Sequence, residues 1–295
     1  MLIPMSTHPA RRLWHSLEAL YQPALLVDGT RDAGKDLGLR GFWMTFLAFR
    51  AAPLGAVSAA TATAAFGGFA PGKVAKAIPG CWTAASPEAC IESRNALAGR
   101  LLRSAGVTEE AAAPLVERLA VLPPALEVTG RPLGAANAAL PLPDDPIAAL
   151  WQLASTVREY RGDGHLAAWV AAGVTGLDSH HLLTAGRGED VELMREMRGW
   201  TPEEWSAAAE SLIARGLIDD GGADGDASTL TDAGLRLRAQ VEQQTDEVSW
   251  SGGMSVLGED GVAEICAALA PVVKSVRESG MAPLLALLAP DVDAA

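Results

Sequence analysis

The chain is poor in the residues that build sheets. Its 295 residues include 2 Tyr and 5 Phe, with few Val or Ile runs, while Ala, Leu, Glu and Arg abound. Propensity therefore favours a mainly α protein with few strands. Cysteine is scarce as well. Cys81, Cys90 and Cys266 are odd in number and lack C-x-x-C spacing, which argues against a zinc knuckle or a disulfide framework and leaves buried, reduced thiols. The sequence has no G-x-G-x-x-G, G-K-[ST], G-x-S-x-G or H-E-x-x-H motif. Nucleotide-dependent catalysis, serine hydrolysis and zinc proteolysis thus have no support, and neither a metal nor a cofactor is expected. Positive charge is short: the formal net charge is −13, which opposes nonspecific attraction to phosphate backbones.

Export and membrane signals are also missing. Arg11 and Arg12 are followed by amphipathic Trp14-His15-Ser16-Leu17-Glu18 rather than an apolar run, so a cytoplasmic location is expected. Residues 51–72 carry no charge over a length that would cross a bilayer, but they contain Pro53, Ser58, Thr61, Thr63 and several glycines. Their hydrophobicity is too low for insertion, and a buried helix pair is expected.

What is present centres on residues 199–237. Thr201, Pro202 and Glu204 form a cap, a first-turn proline and a capping box. Trp205, Ala208, Ala209, Leu212 and Ile213 then recur as one buried stripe, and Gly216 closes the helix. Leu217-Ile218 and Thr229-Leu230 flank the turn-rich stretch Asp219 to Ser228, predicting a hairpin wing. Thr231 caps a further helix through Leu235, Leu237 and Val241.

The order helix, strand, wing, Thr-x-x-Gly, helix resembles the MarR-like winged helix of bacterial regulators, with 202–215 in the recognition-helix position. Leu39-Arg40-Gly41-Phe42-Trp43-Met44, Arg50-Ala51-Ala52-Pro53-Leu54-Gly55, Arg161-Gly162-Asp163-Gly164-His165 and Arg198-Gly199-Trp200 are similar to segments of bacterial proteins related to SalK, which are described as helix-turn-helix or MarR-like. The resemblance implies a fold more than a reaction.

Taken in order, helices are expected over 9–27, 37–52, 58–66, 71–78, 86–104 and 109–121, with Asp28 to Asp36 a polar loop. Residues 1–122 form an N-terminal, winged-helix-like helical half, and 123–143 a Pro-rich linker. Residues 144–250 form the C-terminal winged-helix half, followed by C-terminal helices over 251–295, including an apolar piece at Leu284 to Leu288. Trp43 and Arg50 are spaced as are Trp151 and Arg158, and Gly80-Cys81-Trp82 precedes Ser86-Pro87-Glu88 much as Gly199-Trp200 precedes Thr201-Pro202-Glu203. These echoes raise an internal duplication, giving either a monomer with pseudo-two-fold halves or a homodimer.

The recognition-position helix turns Glu203, Ser206, Ala207, Glu210 and Ala214 outward, with Arg215 at its far end. Base edges are read by Arg, Lys, Asn or Gln, so DNA is a possible but disfavoured partner. The wing carries Asp219, Asp220, Asp224 and Asp226 where a minor groove wants cations, and it lacks calcium-loop spacing. Arg161-Gly162-Asp163-Gly164-His165 has two readings. It is a helix start with Asp163 as cap, or a site with Arg161 holding an anion and His165 and Asp163 as catalytic acid and base. His180 and His181 point about 100° apart and do not share an ion.

Arg40, Trp43, Met44, Arg50, Trp151, Arg158, Arg161, His165 and Trp169 either line a cleft for a flat or acidic organic ligand or are plain core. The leading expectation is a winged-helix protein that binds a small organic molecule and has a weakened or lost DNA surface. Beside it stand a MarR-like transcriptional regulator and a cofactor-free enzyme of specialised metabolism using His165.

Overall fold

The structure, a computed structural model, describes residues 8–188, 190–221 and 228–281. The described chain is mainly helical: α1 (Pro9–Leu25), α2 (Asp28–Asp36), α3 (Gly41–Ala51), α4 (Ala59–Phe66), α5 (Pro71–Ala75), α6 (Pro87–Ser104), α7 (Glu109–Leu119), α8 (Leu122–Ala125), α9 (Pro132–Ala138), α10 (Pro146–Ala171), α11 (Gly176–Arg187), α12 (Val191–Arg198), α13 (Pro202–Ala214), α14 (Asp232–Ser251) and α15 (Glu259–Glu278). Many starts are set by side-chain caps. Ser86, Thr108, Asp145, Thr175, Thr201 and Thr231 each accept a backbone N–H from the first turn that follows.

The body gathers around α10, which is roughly 39 Å long at 1.5 Å per residue and packs against α1, α6, α7, α9 and α14. Its core includes the fully buried Trp151, Tyr160, Phe49, Leu47 and Leu102, with α15 closing over α1 and α7. The far end of α10 enters a second, smaller core, where Ala168, Trp169 and Val174 meet Leu182, Leu212, Leu217, Ile218 and Val241. A third small cluster joins Leu177, Met194 and Trp205. Helices α11 to α13 and the start of α14 thus form a module, and the long helices α10 and α14 tie it to the body.

Several expectations are corrected. Among the described residues the wing contributes a single antiparallel bridge, Ile218 to Leu230, with Asp219 N–H on Thr229 O at 3.0 Å, and no strand. Asp224, Asp226 and the segment Leu284 to Leu288 lie outside the described residues. The internal duplication finds no support. Trp43 is half-buried whereas Trp151 is sealed in the core, and Gly80–Thr83 is a 3-10 turn where Gly199 is a left-handed helix cap.

Asp28 to Asp36 is a helix rather than a loop, because it packs Thr30, Ala33 and Gly34 against α3. A Cβ on Gly34 would stand 1.8 Å from Thr45 Oγ1. The stretch 123–143 carries α8 and α9, with Leu133 and Asn137 buried against α10. Ile213 is 37% exposed and leaves the buried stripe. Helices Gly41–Leu54 and Ala59–Phe66 meet at 90°, and among the described residues no single helix is long and apolar enough to cross a membrane.

Candidate ligand cleft

Arg161-Gly162-Asp163-Gly164-His165 lies inside α10 and opens no helix. Gly164 is needed there for close packing, since a Cβ would come 2.6 Å from Arg131 Nη1, whose guanidinium donates to Tyr160 O at 2.7 Å. Asp163 and His165 are two residues apart on one helix, so their side chains diverge by about 200°. Asp163 faces α9, where Oδ2 accepts the Gly134 N–H at 2.7 Å, and burial pushes its pKa up to about 7.

His165 faces α14. Thr245 Oγ1 already donates to Val241 O at 2.7 Å, so His165 Nδ1–H donates to Oγ1 at 3.0 Å while Nε2 accepts from Trp169 Nε1 at 2.8 Å. Both ring nitrogens are engaged, and burial, with Arg161, Arg11 and Arg238, outweighs Glu242 and holds the pKa near 4. Arg161 itself pairs with Glu242 and Asp246, each at 2.9 Å, beside Arg11. These residues lock α1, α10 and α14 together.

Trp151 also belongs to the interior, and the half-buried Arg50 and Arg158 are tied to the buried Glu159. Trp151 stacks on Tyr21 at 5.6 Å. Glu159 receives Arg50 and Arg158, each at 2.9 Å, and Arg158 reaches Glu18 at 3.2 Å. Burial alone would raise the Glu159 pKa, but the two guanidinium groups outweigh it and hold it at about 2.

The other three residues, Arg40, Trp43 and Met44, come together at an open cleft of about 770 Å³ between the body and the module. The start of α3 supplies them. Helix α5 and its flanks supply Ala70, Pro71, Lys73, Lys76 and Ala77, and the α12–α13 junction supplies Glu196, Gly199, Thr201 and Glu204. Trp43 is braced by Phe42, Phe46 and Phe69 at 5.2–6.1 Å between ring centres. Lys73 Nζ stands 3.5 Å from the centre of the Trp43 ring and donates to Met197 O at 2.7 Å and Glu196 O at 3.1 Å. Burial, reinforced by Arg198 and Lys76, lowers its pKa to about 8.

Gly199, at φ +81°, ends α12 in the left-handed region, and a Cβ there would meet Lys73 Cβ at 2.7 Å. Glu204 is committed to the α13 cap: its carboxylate accepts the Thr201 N–H at 2.9 Å, and its own N–H reaches Thr201 Oγ1 at 3.2 Å.

The wall beneath the cleft is also the seam between the two regions. Ala70 N–H reaches Arg198 O at 3.0 Å, and Gly68 O accepts Trp200 Nε1–H at 3.2 Å and His180 Nε2–H at 2.8 Å. Pattern reading missed Lys73 and Lys76. Their signal was modest: two cations three apart on a short helix opened by Pro71, in an acidic chain.

On the outer side of α13, Glu203, Ser206, Ala207 and Glu210 are exposed, and Arg215 lies 3.6 Å from Asp178. Three consecutive helices closing over small shared cores, the last ending in a bridge and a capped fourth helix, define a protein of the helix-turn-helix class. The chain belongs to a helix-turn-helix family, whose sequence pattern matches residues 10–283. Neither a curated protein nor a solved structure gives a match.

Proposed function

We propose that this helix-turn-helix protein binds a small, flat organic molecule in the cleft between α3–α5 and the α12–α13 junction, and that its DNA-facing surface is weakened. The observation that carries the reading is the cleft itself: an aromatic wall at Trp43 and cations at Arg40, Lys73 and Lys76, beside the first turn of α13. Such a mixture of π surface and a few placed charges suits an aromatic ligand. The reading places the module within the MarR-like winged helices, with α13 in the recognition position. Its exposed Glu203 and Glu210 would face phosphate with the wrong sign.

Family membership favours a second reading, a transcriptional regulator that binds DNA. A thermal-shift screen with aromatic metabolites, run beside an electrophoretic shift on the gene's upstream DNA at low salt, separates the two. The first reading expects stabilisation by an aromatic compound that Trp43→Ala abolishes, and no shifted duplex. A shifted duplex with no stabilising compound would establish the regulator instead.

A further inference from the structure

Apolar side chains that face water gather where α8, the 3-10 turn Met254–Leu257 and the last turns of α14 meet. Val121, the cap of α8, is followed by Pro124 and Ala125 at helical spacing, so that short helix turns one apolar face outward, and all three residues are exposed. The chain then runs along α14. Glu127 N–H reaches Gly252 O at 2.6 Å, Arg131 Nη2 donates to Val248 O at 2.9 Å, and a Cβ on Gly253 would clash with Ala125 O. These contacts bring Val128, Val248 and Val256 to the same surface as Val121. The four valines are 41–52% exposed, and none of them lines the cleft beside α13. Folding does not require them, since Leu122, Leu126 and Met254 already fill the core beneath. An apolar surface left open in this way marks a contact with another molecule.

Exposed carboxylates border the valines. Glu127 precedes Val128, Glu247 precedes Val248, and Glu259 and Asp260 follow Val256 within four residues. Nearby cations are engaged elsewhere: Arg131 turns its guanidinium inward to Tyr160 O and Val248 O, and Arg118 pairs with Glu264.

We infer that this surface docks a cationic amphipathic helix of another protein, whose apolar stripe covers the valines and whose Lys or Arg residues meet the carboxylates. A second copy fits poorly, because a two-fold contact would set the same carboxylates face to face in a chain of net charge −13. The chain's own apolar run 284–288 extends at most about 25 Å beyond Met281. That is short of the roughly 30 Å of α15 separating Met281 from Met254–Leu257. An extended peptide finds no sheet edge to join, since the described residues hold one isolated bridge and no strand. A helix carries the apolar stripe and its flanking charges on one element.

The test titrates the full chain into three labelled peptides. One is built of leucine and lysine with the leucines at helical spacing, one has the same composition in scrambled order, and one has glutamate in place of lysine. Anisotropy reads affinity at physiological ionic strength, where diffuse attraction to an acidic chain is screened. The ordered lysine peptide is expected to bind at least about tenfold more tightly than the scrambled one, and the glutamate peptide not to bind. Val248→Ser with Val256→Ser should weaken the ordered peptide at least about tenfold. Val170→Ser with Leu235→Ser, at exposed apolar positions outside this surface, should leave it unchanged. Sedimentation velocity of the chain alone should give the same mass before and after the valine substitutions.

Equal binding of the ordered and scrambled peptides by the unsubstituted chain, or no binding of either, overturns the docking of a helix, whether or not the substituted chain folds. Equally tight binding of the glutamate peptide overturns the charge selection. Ordered binding that survives the valine substitutions overturns the placement, and a dimer that they dissociate overturns the choice of partner in favour of a second copy.

Discussion

The body and the module are held by different means. The body seals Trp151, Tyr160, Phe49 and Leu47 in one large core, and its buried Glu159 is matched by Arg50 and Arg158. The module has two small clusters, one of them Leu177, Met194 and Trp205, and leans on the body through individual hydrogen bonds at Gly68 and Ala70. Apolar area is the main driving force for folding, so the body is the scaffold and the module the part whose geometry small changes can adjust. The cleft lies between them, where a ligand can act on the adjustable side while braced by the rigid one.

Substitutions can break this contrast. The largest effect should follow Trp151→Ala, which removes a fully buried indole and its Nε1–H bond to Tyr21 O. It should cost about 3–5 kcal/mol and lower the urea midpoint of both regions together. Glu159→Gln should cost about 3 kcal/mol, since the half-buried Arg50 loses its counter-charge and Arg158 keeps only Glu18. The Glu159 pKa lies below its unfolded value, so its contribution is full above about 4.5 and is lost as pH falls toward about 2. The substituted chain should lose that part of its acid sensitivity.

Gly176→Ala acts on the seam alone. Its Cβ would fall 1.6 Å from Gly67 O, forcing the module off the body at a cost of about 1–3 kcal/mol. Hydrogen exchange should quicken over residues 176–214 and stay unchanged in α6 and α10, an asymmetry that Trp151→Ala should lack.

A smaller separation should come from pH. Burial holds His165 near pKa 4 and His180 near 3, both below the free value of 6.5. The unfolded chain therefore takes up protons that the folded chain refuses. Stability should fall as pH drops from about 6.5 to 4, by on the order of 1 kcal/mol per histidine, with the module and its seam opening first. His180→Gln should flatten this decline in a pH series of thermal melts.

The local signals in the sequence were legible, and the long-range ones were not. Thr201, Pro202 and Glu204 announced α13 because a capping box closes within four residues, and Ser86-Pro87-Glu88 did the same for α6. Glycine misled. Gly34, Gly134 and Gly164 fell in stretches read as a loop, a linker and a helix start, yet each sits in a helix where another element approaches too closely for a Cβ. The partners, Thr45, Tyr160 and Arg131, are distant or unremarkable in sequence, so no local pattern carries the contact. The candidate ligand residues divided for a similar reason. Arg40, Trp43 and Met44 lie at the partly exposed start of α3, while Arg50 in the last turn of that helix, Trp151 and Arg158 found counter-charges and stacking partners in the body. Periodicity does not distinguish a tryptophan on a cleft from one in a core.

The central claim is that the space beside α13 receives a small, flat aromatic molecule while the outer face of α13 does not receive DNA. The direct measurement is a paired titration at low salt, following Trp43 emission as 1-naphthoate is added to one sample and a duplex of the upstream sequence to the other, with Trp43→Phe as the reference. The account predicts saturable quenching by naphthoate that vanishes in Trp43→Phe, and no association with the duplex. Tight, salt-sensitive binding of the duplex with no response to naphthoate would contradict it.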